Sequence, residues 1–305
     1  MKNFVGIDVG GTNIKAVLLD EKKKQTRSVT LPTQANSGKK AIAKNILRAA
    51  TIVAAGKKVS AIGIALAGAV NAEKGMLVDA PNLREFEKFP IKRILQKRFR
   101  VPTVVENDAN AAAFAESQIG CGKKSKILVL LTLGTGMGCG IIIGGKLFTG
   151  ATHSAAEFGH TIIDSRGYKC KCGNFGCLEA MANARFLERK AKELIAKGKK
   201  SPLKRFDALS IQLAAEKGDA VAKLAYKEFA ENLGIGLANI CNIFNPDLIV
   251  LSGGIARAKT IFPVATKKMK QLAFRQNAEH VKVCSAKAGY FAGATGAALL
   301  AMQKK

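Results

Sequence analysis

The sequence predicts an α/β protein of two similar lobes, and three observations carry that reading. Strand-like apolar runs alternate with helix-length amphipathic stretches along most of the 305 residues. A strand, a glycine turn and a second strand occur twice, as Gly6-Ile-Asp-Val-Gly-Gly-Thr12 and as Leu130-Leu-Thr-Leu-Gly-Thr-Gly136. Their separation is the size of a domain rather than the short period of a solenoid. The length also suffices for two separate cores.

The elements follow in order. Residues 3–9 read as a buried strand, and a glycine turn leads into a second strand over 14–19, which makes a hairpin. Residues 25–31 read as a third strand, and 38–55 space their apolar positions for a helix. Strands over 59–66 and 101–105 precede an alanine-rich helix at 107–117. The pattern restarts with strands over 127–133 and 140–143. Helices are expected over 180–197, 206–217 and 219–242, then a strand over 247–251 that ends in Ser252-Gly-Gly-Ile255. A helix over 259–273, a strand over 281–284 and a glycine-bounded helix over 291–302 follow. Gly120, Gly122 and the adjacent lysine run mark a lobe boundary. Residues 1–118 are therefore assigned to the first lobe and 119–289 to the second, with the last segment, 290–305, returning to the first.

Apolar residues make up 48 % and charged residues 23 %, a globular rather than a disordered balance. No apolar run approaches the roughly 18–20 residues a membrane helix needs. The first apolar stretch is short and interrupted by Asp8, unlike a secretory signal. The chain is expected in the cytoplasm, with no membrane partner. Seven cysteines agree, because an odd number cannot form a fully paired disulfide framework. Cys121, Cys139, Cys241 and Cys284 stand singly in apolar or glycine-rich contexts and read as packing residues. The balance of 49 Lys/Arg against 22 Asp/Glu gives a net charge of +27. Such a surface attracts polyanions. The lysines are scattered over many short runs, however, and the densest stretch, 189–205, lacks interleaved aromatics for base stacking. We read the charge as a solvated surface and expect no specific nucleic-acid partner. Inorganic polyphosphate is conceivable as a second phosphate donor.

Glycine loops bind phosphate because backbone N–H groups can approach closely where no Cβ intervenes. Three lie at strand ends: Gly10-Gly11-Thr12, Gly134-Thr135-Gly136-Met-Gly138 and Gly253-Gly254. A P-loop is excluded, since Leu147 follows Lys146 where a hydroxyl residue is required. A dinucleotide fingerprint is excluded because the sixth position from Gly134 is Cys139. Asp8 precedes the first turn and suits water-mediated Mg2+ binding, and Lys15 on the second strand is within reach of a phosphate in the turn. His160 with Cys170, Cys172 and Cys177 offers one imidazole and three thiolates, a complete tetrahedral shell for a structural Zn2+. Zinc would also pin the segments that carry Glu157 and Glu179. The paired knuckles of a nucleic-acid zinc ribbon are absent.

These residues carry a family resemblance. Asp8-Val-Gly-Gly-Thr-Asn-Ile-Lys15, Glu106-Asn-Asp108, Leu133-Gly-Thr-Gly-Met-Gly138, Glu157-Phe-Gly-His160 and Cys170-Lys-Cys-Gly-Asn-Phe-Gly-Cys-Leu-Glu179 resemble the ROK family of bacterial sugar kinases and repressors, most of all its zinc-containing glucokinases. The likeness extends from Val5 to the final helix. It implies a two-lobed, actin-like, ribonuclease-H-type fold with duplicated βββαβα-type lobes around a cleft, and a homo-oligomer, dimer or tetramer. It implies ATP with Mg2+ at Asp8, Gly10, Gly11, Thr12, Asn13, Lys15, Gly134, Thr135, Gly136, Gly253 and Gly254. It implies a sugar held by Gly68, Asn82, Asn107, Asp108, Glu157, His160 and Glu179, with Asp108 as the base on a sugar hydroxyl. Read without the family, Asp108 is equally a helix cap beside Asn107. A helix N-terminus favours the ionised carboxylate, so the expected Asp108 is a weak base.

Two positions depart from the family pattern. Ala67 stands where a proline is common, and Ala156 where a glycine is common. Repressor members carry an N-terminal helix-turn-helix, for which the early phosphate strand leaves no room. The leading reading is a hexokinase-type glucokinase. The alternatives are a kinase for fructose, mannose or an N-acetylated amino sugar, and a non-catalytic sugar-responsive regulator.

Overall fold

The computed structural model of the chain describes residues 2–80, 82–258 and 260–303. Its strands are β1 (Asn3–Val9), β2 (Asn13–Asp20), β3 (Gln25–Pro32), β4 (Val59–Leu66), β5 (Ala69–Asn71), β6 (Met76–Asp79), β7 (Thr103–Asn107), β8 (Ile127–Leu133), β9 (Met137–Ile143), β10 (Lys146–Leu147), β11 (Leu248–Ser252) and β12 (Lys282–Ser285). Its helices are α1 (Lys39–Ala54), α2 (Ile91–Phe99), α3 (Asp108–Gln118), α4 (Leu178–Met181), α5 (Ala184–Ala196), α6 (Ala208–Glu216), α7 (Ala220–Phe244), α8 (Ile261–Leu272), α9 (Arg275–His280) and α10 (Ala292–Gln303). The expected start of a helix at Lys259, and Lys304 and Lys305 of the expected C-terminal segment, lie outside the described residues.

Two five-stranded sheets share one plan. The first has the order β3-β2-β1-β4-β7 and the second β10-β9-β8-β11-β12. In the first, β2 and β3 pair antiparallel beside a parallel β1-β4-β7 set. In the second, β8, β11 and β12 are parallel. The repeated strand–turn–strand unit of the sequence is thus repeated in topology, as β1-β2 and β8-β9. The two sheets and their helices form the mixed α/β, actin-like architecture.

The chain divides into two compact units. The first comprises Met1–Lys124, Gly140–Ala156 and Lys287–Lys305; the second comprises Ser125–Cys139 and Glu157–Ala286. Residues 119–124, 140–156 and 287–289, which the sequence assigns to the second lobe, group with the first unit. Gly140 lies directly against Ala109 and Ala113 of α3.

In the first unit, one core joins β1, β2 and β4 to α1, α2 and the β5-β6 hairpin through buried Val5, Ile14, Ile62, Ile46, Leu95 and Leu77. Helix α10 covers the sheet very closely. A Cβ added at Gly6 or Gly63 would collide with the main chain of Ala294 or Ala297, so glycine at both strand positions lets the helix lie flat on β1 and β4. Glu116, a fully buried carboxylate of α3, accepts hydrogen bonds from the amides of Lys287 (2.7 Å), Ala288 (2.6 Å) and Cys121 (3.0 Å). It thereby fixes the segment that leads into α10.

In the second unit, Asp219 caps the long helix α7 by accepting from the amide of Ala222 at 2.7 Å. The helix buries Phe229, Leu233, Leu237 and Ile240. The helix expected over 180–197 is broken into α4 and α5. The side chain of Asn183 accepts from the amide of Phe186 at 2.9 Å and starts a new helix there.

Candidate active site and metal cluster

In the first unit, Gly10, Gly11, Thr12 and Asn13 form the turn between β1 and β2. The Gly10 amide donates to the Asn13 carbonyl at 3.0 Å. Thr33, fully buried, clasps the turn from outside. Its amide donates to the Thr12 carbonyl at 2.8 Å, and its hydroxyl to the Gly10 carbonyl at 2.6 Å. Asn82 lies beside Gly11 and is exposed. Asp8 at the end of β1 pairs in register with Lys15 on β2. Burial raises the pKa of the Asp8 carboxyl, and the Lys15 ammonium partly offsets this.

Asn107 and Asp108 sit where β7 becomes α3. The Asn107 side chain is a true N-cap: its oxygen accepts from Ala109 (2.9 Å) and Asn110 (3.1 Å), and its Nδ2 donates to the Gly68 carbonyl at 3.0 Å. Capping is therefore performed by Asn107, which releases Asp108 from that role. Asp108 accepts from the Ala109 amide at 2.9 Å. Its carboxyl is pushed up to about 7 by burial and by the nearby Asp8 carboxylate, against the smaller pull of the Ala109 amide and Asn107. This corrects the expectation of a strongly ionised, weakly basic group. Desolvation and like charge outweigh the helix N-terminus.

In the second unit, the Gly134-Thr135-Gly136 turn joins β8 to β9. Its carbonyls are held by the amide of Ala184 on Gly134 (2.9 Å) and by Asn183 Nδ2 on Thr135 (3.3 Å). Thr132 accepts from the Gly138 amide at 2.9 Å, and Glu179 Oε2 from the Met137 amide at 2.8 Å. Gly253 and Gly254 follow β11, which pairs with β8 up to Ser252 and Thr132. Gly253, at φ 94°, lies on the backbone of Leu133. Two predicted phosphate turns thus emerge from adjacent parallel strands.

The ligand atoms of His160, Cys170, Cys172 and Cys177 all lie within 4.8 Å of one another. Cys170 Sγ is 3.7 Å from His160 Nδ1, and Cys172 Sγ is 3.6 Å from Cys177 Sγ. Ligands about 2.3 Å (S) and 2.0 Å (N) from a tetrahedral zinc stand about 3.5–3.8 Å apart, so the donor set fits that ion. His160 turns its other nitrogen, Nε2, to Glu157 Oε2 at 4.0 Å. Glu179, whose Oε2 holds the Met137 amide beside the glycine turn, has Oε1 3.9 Å from Cys170 Sγ. One carboxylate therefore links the metal cluster to the turn.

The structure assembles the predicted residues in two groups. Asp8, Gly10, Gly11, Thr12, Asn13, Lys15, Gly68, Asn82, Asn107 and Asp108 belong to the first unit; Gly134, Thr135, Gly136, Gly253, Gly254, Glu157, His160, Glu179 and the three cysteines belong to the second. Sequence reasoning missed Thr33, Thr132 and Asn183. Thr132 and Asn183 had a signal, a hydroxyl before a glycine turn and an asparagine before a helix; Thr33 had none.

Comparison with known proteins agrees with this architecture. Residues 4–304 match the family model described as "ROK family". A glucokinase of Streptomyces coelicolor is 36 % identical over 312 residues, covering 98 % of this chain and 97 % of the relative. The crystal structure of a ROK family glucokinase from Streptomyces griseus, in complex with glucose and AMPPNP, superimposes with a TM-score of 0.83 at 34 % identity and covers 99 % of both chains. A xylose repressor of Caldicellulosiruptor bescii is 38 % identical over 201 residues, covering 64 % of this chain and 50 % of the repressor. With the motifs, the duplicated sheets and these likenesses in agreement, the chain belongs to the ROK family.

Proposed function

We propose that the chain is an ATP-dependent hexose kinase, with glucose as the best substrate, phosphorylated at its 6-hydroxyl. The observation that carries the reading is Asp108: a half-buried carboxylate, freed from capping by Asn107 and tuned to about 7. A general base works best with a pKa near the working pH. Asp108 accepts the proton of the sugar hydroxyl as that oxygen bonds to the γ-phosphorus of ATP, and ADP departs. Asn107, fixed to Gly68, and the exposed Asn82 supply hydrogen bonds to neighbouring hydroxyls, as do Glu157, His160 and Glu179. The residues of the three glycine turns and Lys15 bind the nucleotide and its phosphates.

Two metal ions belong to this reading. Asp8 fits Mg2+, since a buried carboxylate beside a second one gains from a cation. The magnesium ion neutralises phosphate charge when bound. Zn2+ fits the His160, Cys170, Cys172 and Cys177 cluster by its spacings and leaves no open position, so its role is structural. Bound there, it would fix His160 and Cys170, and with them the chain segments that carry Glu157 and Glu179.

Among the described residues no helix is long and apolar enough to cross a membrane. The test is a panel of hexoses and N-acetylated amino sugars in a coupled ADP-release assay. The expected result is glucose-dependent turnover. An N-acetylated sugar at least about tenfold better in kcat/KM, which is about 1.4 kcal/mol of transition-state discrimination, overturns the choice of glucose. No turnover with any sugar overturns the kinase reading in favour of a sugar-responsive regulator.

A further inference from the structure

We infer that Tyr290 is a positioning residue for the phosphate donor, holding the Lys15 ammonium at the phosphate turn until a donor phosphate takes it. The inference rests on the kinase reading above and adds to it a residue outside every motif that carries the family resemblance.

Lys15 is half-buried, and its ammonium meets Tyr290 twice. Nζ donates to the Tyr290 carbonyl at 3.2 Å and stands 4.0 Å from the centre of the Tyr290 ring. The ring itself is more than half exposed, at 56 %. It is not a core residue, and its edge-on contact with Phe291, at 5.0 Å and 83°, sets its orientation.

The main chain under this ring is fixed on both sides. Before it, the amides of Lys287 and Ala288 are bound by the buried Glu116 carboxylate, and Gly289 turns the chain at φ 83°. After it, α10 begins, and its Gly293 lies directly against the Asp8 side chain. Tyr290 is therefore a rigid platform beside Asp8 and Lys15, within one unit.

The kind of partner matters as much as its rigidity. A carboxylate would hold a lysine by neutralising it. An aromatic face and a carbonyl hold the cation while leaving its full charge available to a phosphate. Fixing a long, flexible side chain beforehand also lowers the entropy lost when the donor binds. Asp8, the neighbouring carboxylate, is thereby left to the magnesium ion.

The test measures binding of a non-hydrolysable ATP analogue with Mg2+ by calorimetry on the full chain, beside steady-state kinetics. Tyr290→Ala should weaken analogue binding and raise the KM for ATP by about two- to fivefold, the factor a cation–π contact at an exposed site carries. The KM for sugar and kcat should not move. Tyr290→Phe keeps the ring and the carbonyl and should restore binding. In a Lys15→Met background, Tyr290→Ala should add nothing. Melting temperatures equal to wild type will show that the variants fold. An equal loss in the Lys15→Met background, a Phe variant as weak as Ala, or unchanged binding in Tyr290→Ala overturns the inference alone. Wild-type protein that binds no ATP analogue refutes the kinase reading itself, and Lys15→Met that binds as wild type removes Lys15 from the donor site and this role of Tyr290 with it.

Discussion

Replacing Asp108 by asparagine should sharply lower turnover and, at the same time, stabilise the fold. The carboxyl titrates near 3.8 when unfolded and at about 7 in the native chain. The sign follows from that order. Below 3.8 both states are protonated and ionisation contributes nothing. As pH rises towards 7 the unfolded state ionises while the buried group cannot, so native stability falls, and above 7 the loss is constant. At 1.36 kcal/mol per pKa unit the ceiling is about 4 kcal/mol. Relaxation and water entry around a half-buried group reduce this to roughly 1–3 kcal/mol. Asparagine keeps an oxygen for the Ala109 amide and carries no charge, so Asp108→Asn recovers that loss. Melting of the nucleotide-free protein without added magnesium, at pH 5 and pH 8, should show the variant gaining more at pH 8. The same variant should lose about 10²–10⁴ in kcat, the usual worth of a general base. A variant less stable than wild type at pH 8 would refute the electrostatic argument, and one with near-normal kcat would remove Asp108 from the chemistry.

The metal cluster predicts that Cys172→Ser loses one zinc per chain by elemental analysis and raises the KM for sugar, because Glu157 and Glu179 lose their anchors. Unchanged sugar affinity without zinc would break that link. Ala156 adopts φ 71°, a left-handed conformation, at the position where a glycine is common. Ala156→Gly should therefore raise stability by about 1 kcal/mol in denaturant melts, and a loss of stability would contradict the strain. The +27 charge should give weak DNA binding, independent of sequence, that disappears near 0.15 M salt. Sub-micromolar, sequence-selective binding at that salt would show a dedicated nucleic-acid site.

Most of the architecture was legible because its signals are local. The proposed phosphate turns carry glycine where a backbone would approach an anion, and the proposed metal ligands are gathered within one short segment, His160 to Cys177. The duplicated sheet was visible because a strand–turn–strand unit keeps its pattern wherever it sits. What the sequence concealed depends on distant partners. Asp108 looked like an ionised cap because the burial and the Asp8 carboxylate that shift it come from a strand 100 positions earlier. Nothing near Glu116 announces that its carboxylate binds amides 171 and 172 residues away. The break at Asn183 is signalled only by an asparagine, because apolar spacing continues through it; the cap contact with Phe186 starts the second helix. Helix α2 was missed although Ile91 and Leu95 carry the spacing of one buried face; it is short and crowded with cations.

The closeness of α10 to β1 and β4 has a consequence for biosynthesis. Ribosomes deliver the strands of the first unit early and the helix that seals them only with residues 292–303. At about 5–20 residues per second, the interval between Lys124 and Lys287 lasts on the order of ten to thirty seconds. Throughout it, the face of β1 and β4 that receives α10, around Gly6 and Gly63, is uncovered. The nascent chain must pass through that window with an open sheet, and it is there that a chaperone holding apolar strands would find its client.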